Sequence, residues 1–152
     1  MGRYIVRIDS ATKPKQKPFK VGPSSAAWIT WLNERIIASG IIYFDYNGPN
    51  KAFYDGIIAA LTQLERGHFH PAGTDEVKVY GDCRPVIDQL NNKRRVIRMK
   101  KHFKCIQDFT KKHSNVTFEF IYQNETNPEY KKVDILSKEG RSWIEKMINK
   151  NF

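Results

Sequence analysis

Three aspartates stand near the ends of predicted elements, where carboxylates from distant parts of a chain can meet. Asp9 closes the run RYIVRID and Asp82 closes EVKVYGD, and in both runs apolar residues alternate with polar ones, as in a half-buried strand. Asp134 lies near the start of a helical pattern in KKVDILSKEG. If these elements are neighbours in the fold, the carboxylates form an oxygen-rich pocket that suits Mg²⁺ or Mn²⁺.

Each aspartate also has an ordinary structural explanation. Asp9 could begin a turn, Asp82 could cap a helix, and Asp134 could be a solvated helix residue. Both explanations stay open for any one of the three taken alone.

Hydrophobic periodicity predicts a single α/β domain over residues 1–152. The predicted strands are residues 3–9, 26–32, 35–46, 77–80 and 116–122, and helical spacing covers residues 50–67, 86–90, 96–106 and the end of the chain from about Glu129. Asn33 and Glu34 suit a hairpin, so the first three strands form an antiparallel meander. Helical crossovers reach the other two strands, which gives a five-stranded mixed sheet flanked by helices.

The chain is strongly basic, with 26 Lys and Arg against 16 Asp and Glu, and a net charge of +10. Such a surface favours anionic polymers as partners. No acidic residue occurs from Gln89 to Gln107, and helical spacing places Arg94, Arg98 and Lys101 on one predicted face. This segment is predicted to bind nucleic acid, with a solvated helix face as the alternative. The residues assigned to binding there are Lys93, Arg94, Arg95, Arg98 and Lys101.

A second basic segment directly follows Asp9 and contains Lys13, Lys15 and Lys17. A loop at this place could contact phosphates beside the acidic pocket, and flexible solvated lysines explain it almost equally well. Neither a signal peptide nor an apolar run of about 18 residues is present, so we expect a soluble intracellular protein without membrane contact. Phosphate-loop, dinucleotide-binding and nucleophile-elbow motifs are also missing from the sequence.

The joint order of strands, helices and aspartates resembles the ribonuclease H-like fold, in its type 1 ribonuclease H branch. VYGDCRPVIDQLN is similar to the family's strand-Asp-helix segment, NKAFYDGIIAAL resembles its first helix, and KKVDILSKEG resembles its closing helix. The resemblance implies endonucleolytic cleavage of the RNA strand in RNA–DNA hybrids by two divalent ions, Mg²⁺ or Mn²⁺. It further implies that Asp9 bridges the ions, Asp82 shares the first and Asp134 holds the second.

The chain departs from this family pattern at several site positions. Phe53 stands where the resemblance predicts a catalytic Glu, Asn124 replaces a loop histidine, and Tyr130 replaces an asparagine. Asp55 lies about 200° around the helix from Phe53 and so points elsewhere. Phe53 itself is predicted to lie in the core, with an exposed base-stacking ring as the alternative. The departures imply weak or Mn²⁺-dependent cleavage, or a degenerate module that binds nucleic acid or serves as a scaffold.

Overall fold

A five-stranded mixed sheet with helices on both faces forms the fold, as the periodicity predicts. The computed structural model describes residues 2–12, 24–44, 48–67, 71, 74–113, 115–122 and 128–150. The elements are β1 (Arg3–Thr12), β2 (Ser24–Leu32), β3 (Arg35–Phe44), α1 (Pro49–Arg66), β4 (Glu76–Gly81), α2 (Arg84–Leu90), α3 (Lys100–Lys112), β5 (Val116–Phe120) and α4 (Pro128–Lys150). The strand order is β3-β2-β1-β4-β5.

The first three strands form the predicted antiparallel meander. Asn33 and Glu34 connect β2 to β3 with φ values of 47° and 74°, the left-handed conformation that a tight two-residue hairpin requires. On the other side of β1, the strands β4 and β5 run parallel to it and to each other. β1 is therefore the central strand, with an antiparallel neighbour on one side and a parallel neighbour on the other.

The first strand is longer than predicted, and this changes the position of Asp9. β1 continues to Thr12 because it pairs with β2 along that whole length, and Asp9 lies opposite Ala27. The parallel pairing with β4 ends earlier, at Ile8 and Gly81. Asp9 and Asp82 are thus the first residues beyond that pairing, side by side at the same end of the sheet.

The helix α1 covers one face of the sheet with a continuous apolar surface. Its side chains Phe53, Ile57 and Leu61 are almost completely buried and pack against β1 and β4 residues such as Val6 and Val79. Burial of each such side chain contributes about 1.5–3 kcal/mol. The core interpretation of Phe53 is therefore confirmed, and the alternative of an exposed ring is wrong.

The Phe53 ring lies directly over the backbone of Gly81. A Cβ atom at position 81 would stand 1.9 Å from Cζ of this ring. Because the ring is enclosed, we expect Gly81→Ala to destabilise the protein by about 1–3 kcal/mol, as overpacking does elsewhere. Urea unfolding checks this, and Phe53→Leu combined with Gly81→Ala should be less destabilised than the sum of the single changes. Additive effects would contradict the close packing.

The helix α4 packs on the opposite face, against β1, β2 and β3. Val133 is fully buried there among Ala27, Ile29 and Trp31 of β2. This packing places the next residue, Asp134, beside the sheet on the side of Asp9. The predicted helix start near Glu129 is confirmed, since α4 begins at Pro128.

The helix predicted for residues 96–106 is wrong in its first part, because α3 begins only at Lys100. Residues 91–99 are not helical, and Asn92 and Met99 have left-handed φ values of 59° and 62°. Arg94 and Arg98 therefore do not share a helical face with Lys101. The predicted nucleic-acid contacts Lys13, Lys15 and Lys17 lie outside the described residues, and so does Asn124, which departs from the family pattern. Within the part of the chain that is described, no helix has the length and apolar character to cross a bilayer.

Candidate active site

Three separate elements bring Asp9, Asp82 and Asp134 together at the end of the sheet where the pairing of β1 with β4 stops. Asp9 comes from the central strand β1, Asp82 follows the end of β4, and Asp134 lies on α4. The carboxyl of Asp9 is in hydrogen-bond contact with those of Asp82 and Asp134. Carboxyl groups far apart in the sequence thus form one cluster, which the end of the β1–β4 pairing and the packing of α4 position.

This cluster is electrostatically unfavourable unless something compensates its charge. Burial, the charge of Asp82 and the contact with Asp134 raise the pKa of Asp9 to about 8. Burial also raises the pKa of Asp82, against hydrogen bonds from Tyr130 and from the backbone. Buried like charges favour protonation, so at neutral pH the cluster retains a proton on Asp9. Strongly perturbed carboxyls in close contact are typical of functional sites.

Ser137 links the cluster to the sheet, and sequence analysis did not identify it. Its hydroxyl lies 3.1 Å from Oδ2 of Asp9 and 2.9 Å from the backbone carbonyl of Asp134. Its own carbonyl accepts a hydrogen bond from the hydroxyl of Ser25 in β2. Because Ser137 is fully buried, these contacts fix α4 against β1 and β2 next to the carboxyls. The only sequence signal is its position three residues after Asp134, on the same side of the helix.

Each of the other two aspartates also has a donor from α4. The buried hydroxyl of Tyr130 donates to the carbonyl oxygen of Ile8 at 3.2 Å and is also in hydrogen-bond contact with Asp82. Burial raises the pKa of Tyr130 well above its usual value, so this hydroxyl stays protonated. Lys138 donates from Nζ to Oδ2 of Asp134 at 2.9 Å. The protein itself therefore supplies hydrogen bonds to all three carboxyls.

The donor set suits a hard cation, although the present arrangement is that of hydrogen-bonded carboxyls. All three side chains offer only oxygen, which Mg²⁺ and Mn²⁺ prefer. Among the described residues, no group of three or more His, Cys, Asp or Glu could hold a metal ion as it stands. Asp55 is not a substitute ligand, because its Oδ1 lies 2.9 Å from Nε2 of His102.

An arginine-lined pocket of about 540 Å³ opens beside the N-terminus of α1. Arg94, Arg95 and Arg98 of the 91–99 segment form one wall, and Asn50 and Tyr54 of α1 form another. The five basic residues assigned to nucleic-acid binding in this part of the chain are all exposed.

Gln89 holds this pocket together and connects it to the fold. Its amide accepts from the Tyr54 hydroxyl at 2.7 Å and donates to the Arg95 carbonyl at 3.3 Å. The thiol of Cys83, which follows Asp82, donates to Asn50 at 3.3 Å. The pocket therefore adjoins the carboxyl cluster.

Known proteins share this architecture. A family model described as reverse transcriptase-like matches residues 23–139, a stretch that includes Asp82 and Asp134 and begins after Asp9. A sequence search of curated proteins finds no significant match.

Solved structures of ribonuclease H domains share this fold at low sequence identity. The N-terminal RNase H domain of a Mycobacterium tuberculosis protein aligns with a TM-score of 0.81 at 16% identity, over 97% of this chain and 99% of its own. LC11-RNase H1 in complex with RNA/DNA hybrid gives 0.77 at 18%, over 91% and 96%. A foamy viral protease-reverse transcriptase in complex with dsDNA gives 0.70 at 12%, over 91% and 93%. The chain therefore belongs to the reverse transcriptase-like family and has the ribonuclease H fold.

Proposed function

We propose that this protein binds RNA–DNA hybrid and hydrolyses its RNA strand at the Asp9, Asp82 and Asp134 cluster. The cluster of buried carboxyls with raised pKa values is the observation that carries the proposal, because burying carboxyls together contributes no stability to the fold. The arginine-lined pocket beside them supplies the positive charge that a nucleic-acid backbone requires. Two structural relatives are themselves complexes with RNA/DNA hybrid and with dsDNA.

The chain's own residues hold the reacting groups in place. Asp9, Asp82 and Asp134 would hold Mg²⁺ or Mn²⁺ in place of the contacts that the three carboxyls now make with one another, and the ion would stabilise charge that develops on the scissile phosphate. Ser137 orients the Asp9 carboxyl from its Oδ2 side, and the backbone N–H of Ser10 does so from Oδ1 at 2.9 Å. Tyr130 holds Asp82 through its hydroxyl. These contacts fix the carboxyls before substrate arrives, which is what catalysis by charge stabilisation requires.

A second function, binding without cleavage, is favoured by the position of Phe53. A buried phenyl ring stands in α1 where the resemblance predicts the fourth carboxylate, and Lys138 already pairs with Asp134. Fewer carboxylates lower the affinity for a divalent ion. A ribonuclease H fold that keeps its basic surface and has lost the chemistry would look like this.

Neutralising the arginine-lined pocket tests the shared part of both functions. We expect Arg94→Gln, Arg95→Gln and Arg98→Gln together to weaken hybrid binding about 30- to 100-fold near 0.1 M salt. The slope of log K against log salt should fall by about 2 to 3, because each phosphate contact contributes roughly one counterion. Fluorescence anisotropy with a labelled hybrid measures both, and a gel of the same samples with Mg²⁺ or Mn²⁺ reports cleavage.

A variant with the same change in net charge is the control. Arg66→Gln, Lys111→Gln and Lys112→Gln remove three exposed cations at the far ends of α1 and α3. This control should bind nearly as the unchanged protein does. Equal losses in both triple variants would show that net charge, rather than the pocket, determines binding. Binding without cleavage by the unchanged protein would select the second function.

A further inference from the structure

An arginine and two aromatic rings form a second cluster at the same end of the sheet as the aspartates. Phe120 is the last residue of β5 and pairs with Gly81 of β4, so its ring lies beside the strand end that leads to Asp82. Arg84 follows Asp82 by two residues, which limits the separation of their Cα atoms to about 7 Å. Tyr122 follows Phe120 and completes the group, named here the Arg84 cluster.

The two rings restrict the position of the guanidinium group. Its central carbon lies 3.8 Å from the centroid of the Phe120 ring and 5.8 Å from that of Tyr122. The rings meet edge to face, with centroids 4.9 Å apart and planes at 85°. Arg84 therefore lies over one ring and beside the other, so little side-chain freedom remains to be lost when it binds a ligand.

The hydrogen-bonding capacity of this guanidinium is largely unused within the described residues. It has five N–H donors, and its two polar contacts are long. Nη2 lies 3.4 Å from the Tyr122 hydroxyl, and Nη1 lies 4.0 Å from Oδ1 of Asp88. The Arg84 side chain is 50% exposed and Tyr122 is 61% exposed. A positive, pre-oriented donor group thus faces solvent beside the carboxyl cluster.

We propose that Arg84, held by Phe120 and Tyr122, binds a backbone phosphate of the nucleic-acid strand that passes the carboxyl cluster. This inference rests on the proposed nucleic-acid binding. A planar guanidinium with free N–H groups matches two phosphate oxygens at once, which a flexible ammonium group cannot do. A base is a poorer ligand here, because the bases of a hybrid are already paired and stacked.

Strand-selective removal of phosphate charge tests the contact. Binding is measured in EDTA with three hybrids, one natural, one with methylphosphonate linkages in the RNA strand and one with them in the DNA strand. We expect Arg84→Ala to weaken binding of the natural hybrid about tenfold and to lower the salt slope by about 1. Its effect should disappear with the hybrid whose contacted strand is neutral and remain with the other. Arg84→Lys should keep the salt slope and lose several-fold in affinity.

Two controls separate the contact from a structural role. Arg66→Lys changes an exposed arginine at the end of α1 and should bind all three hybrids as the unchanged protein does. Thermal unfolding of the Arg84 variants shows whether they fold. Equal effects of Arg84→Ala on all three hybrids, or no effect on any, would overturn the phosphate contact while leaving hybrid binding intact. Failure of the unchanged protein to bind the natural hybrid would overturn both this contact and the proposed function.

Discussion

Asp9→Asn should make the metal-free protein more stable and should abolish cleavage of RNA–DNA hybrid. Asp9 is 2% exposed and touches both other carboxyls, so its charge is unfavourable in the folded state. An asparagine removes the charge and keeps an oxygen that can accept from Ser10 or Ser137. The same change removes the central carboxylate of the proposed metal site, so cleavage should fall by about 10³-fold or more.

The stability difference should grow with pH in a defined direction. Asp9 has a pKa of about 8 in the folded protein against 3.8 for an ordinary aspartate, so the folded state binds the proton more tightly. Between about pH 4 and pH 8 the unfolded chain has released this proton and the folded chain retains it. The free energy of unfolding therefore falls as pH rises through that window. Asp9→Asn lacks this loss, and its advantage should be near zero at pH 4 and about 2–4 kcal/mol at pH 8.

Urea unfolding in EDTA at several pH values measures this advantage as the difference between variant and unchanged protein. Asp108→Asn is the matched control, since it makes the same substitution at an exposed position on α3. Added Mg²⁺ should stabilise the unchanged protein and not Asp9→Asn, because only the former has the full donor set. A stability difference that does not change with pH would show that the charge of Asp9 does not destabilise the fold. Equal stabilisation of both proteins by Mg²⁺ would show that the ion does not depend on Asp9.

The sequence predicts the parts of this site that local patterns encode. The alternation before Asp9 and before Asp82 marks two strands, and the element order makes those strands neighbours. The contact of Ser137 with Asp9 joins residues 128 positions apart, and it depends on the angle at which α4 packs. No local pattern carries that angle. Tyr130 is likewise interpreted from the sequence only as the replacement of a family asparagine, although its hydroxyl contacts the carboxyl of Asp82 in the folded protein.

The 91–99 segment shows how a true periodicity can mislead. Val96, Met99, Phe103 and Ile106 follow helical spacing, yet only the last two lie in α3. Met99 adopts a left-handed conformation that a helix interior excludes. Gln89 and Tyr54 hold the segment in this shape through contacts that involve α1. The basic charge can be read directly from the sequence, whereas the element that presents it depends on tertiary contacts.

Phe53→Glu should strongly lower the stability of the metal-free protein, and added Mg²⁺ should restore part of that stability. The ring is fully buried over Gly81, one residue before Asp82, so a carboxylate at position 53 would be buried close to the cluster. Loss of the ring and burial of a further charge should destabilise the metal-free protein by about 3–5 kcal/mol. A divalent ion would neutralise that charge and gain a fourth oxygen donor, so Mg²⁺ should stabilise this variant more than the unchanged protein.

Phe53→Gln separates the charge from the lost packing, because it has the same length and no carboxylate. Both variants lose the ring, and only Phe53→Glu should regain stability when Mg²⁺ is added. Hybrid cleavage by Phe53→Glu should then exceed that of the unchanged protein by tenfold or more, measured at a temperature where both variants are folded. Equal responses of the Glu and Gln variants would mean that position 53 does not reach the metal site. If Phe53→Glu binds Mg²⁺ more tightly but still does not cleave, the absence of a carboxylate at position 53 is not what makes the unchanged protein inactive. That result would favour the function of binding without cleavage.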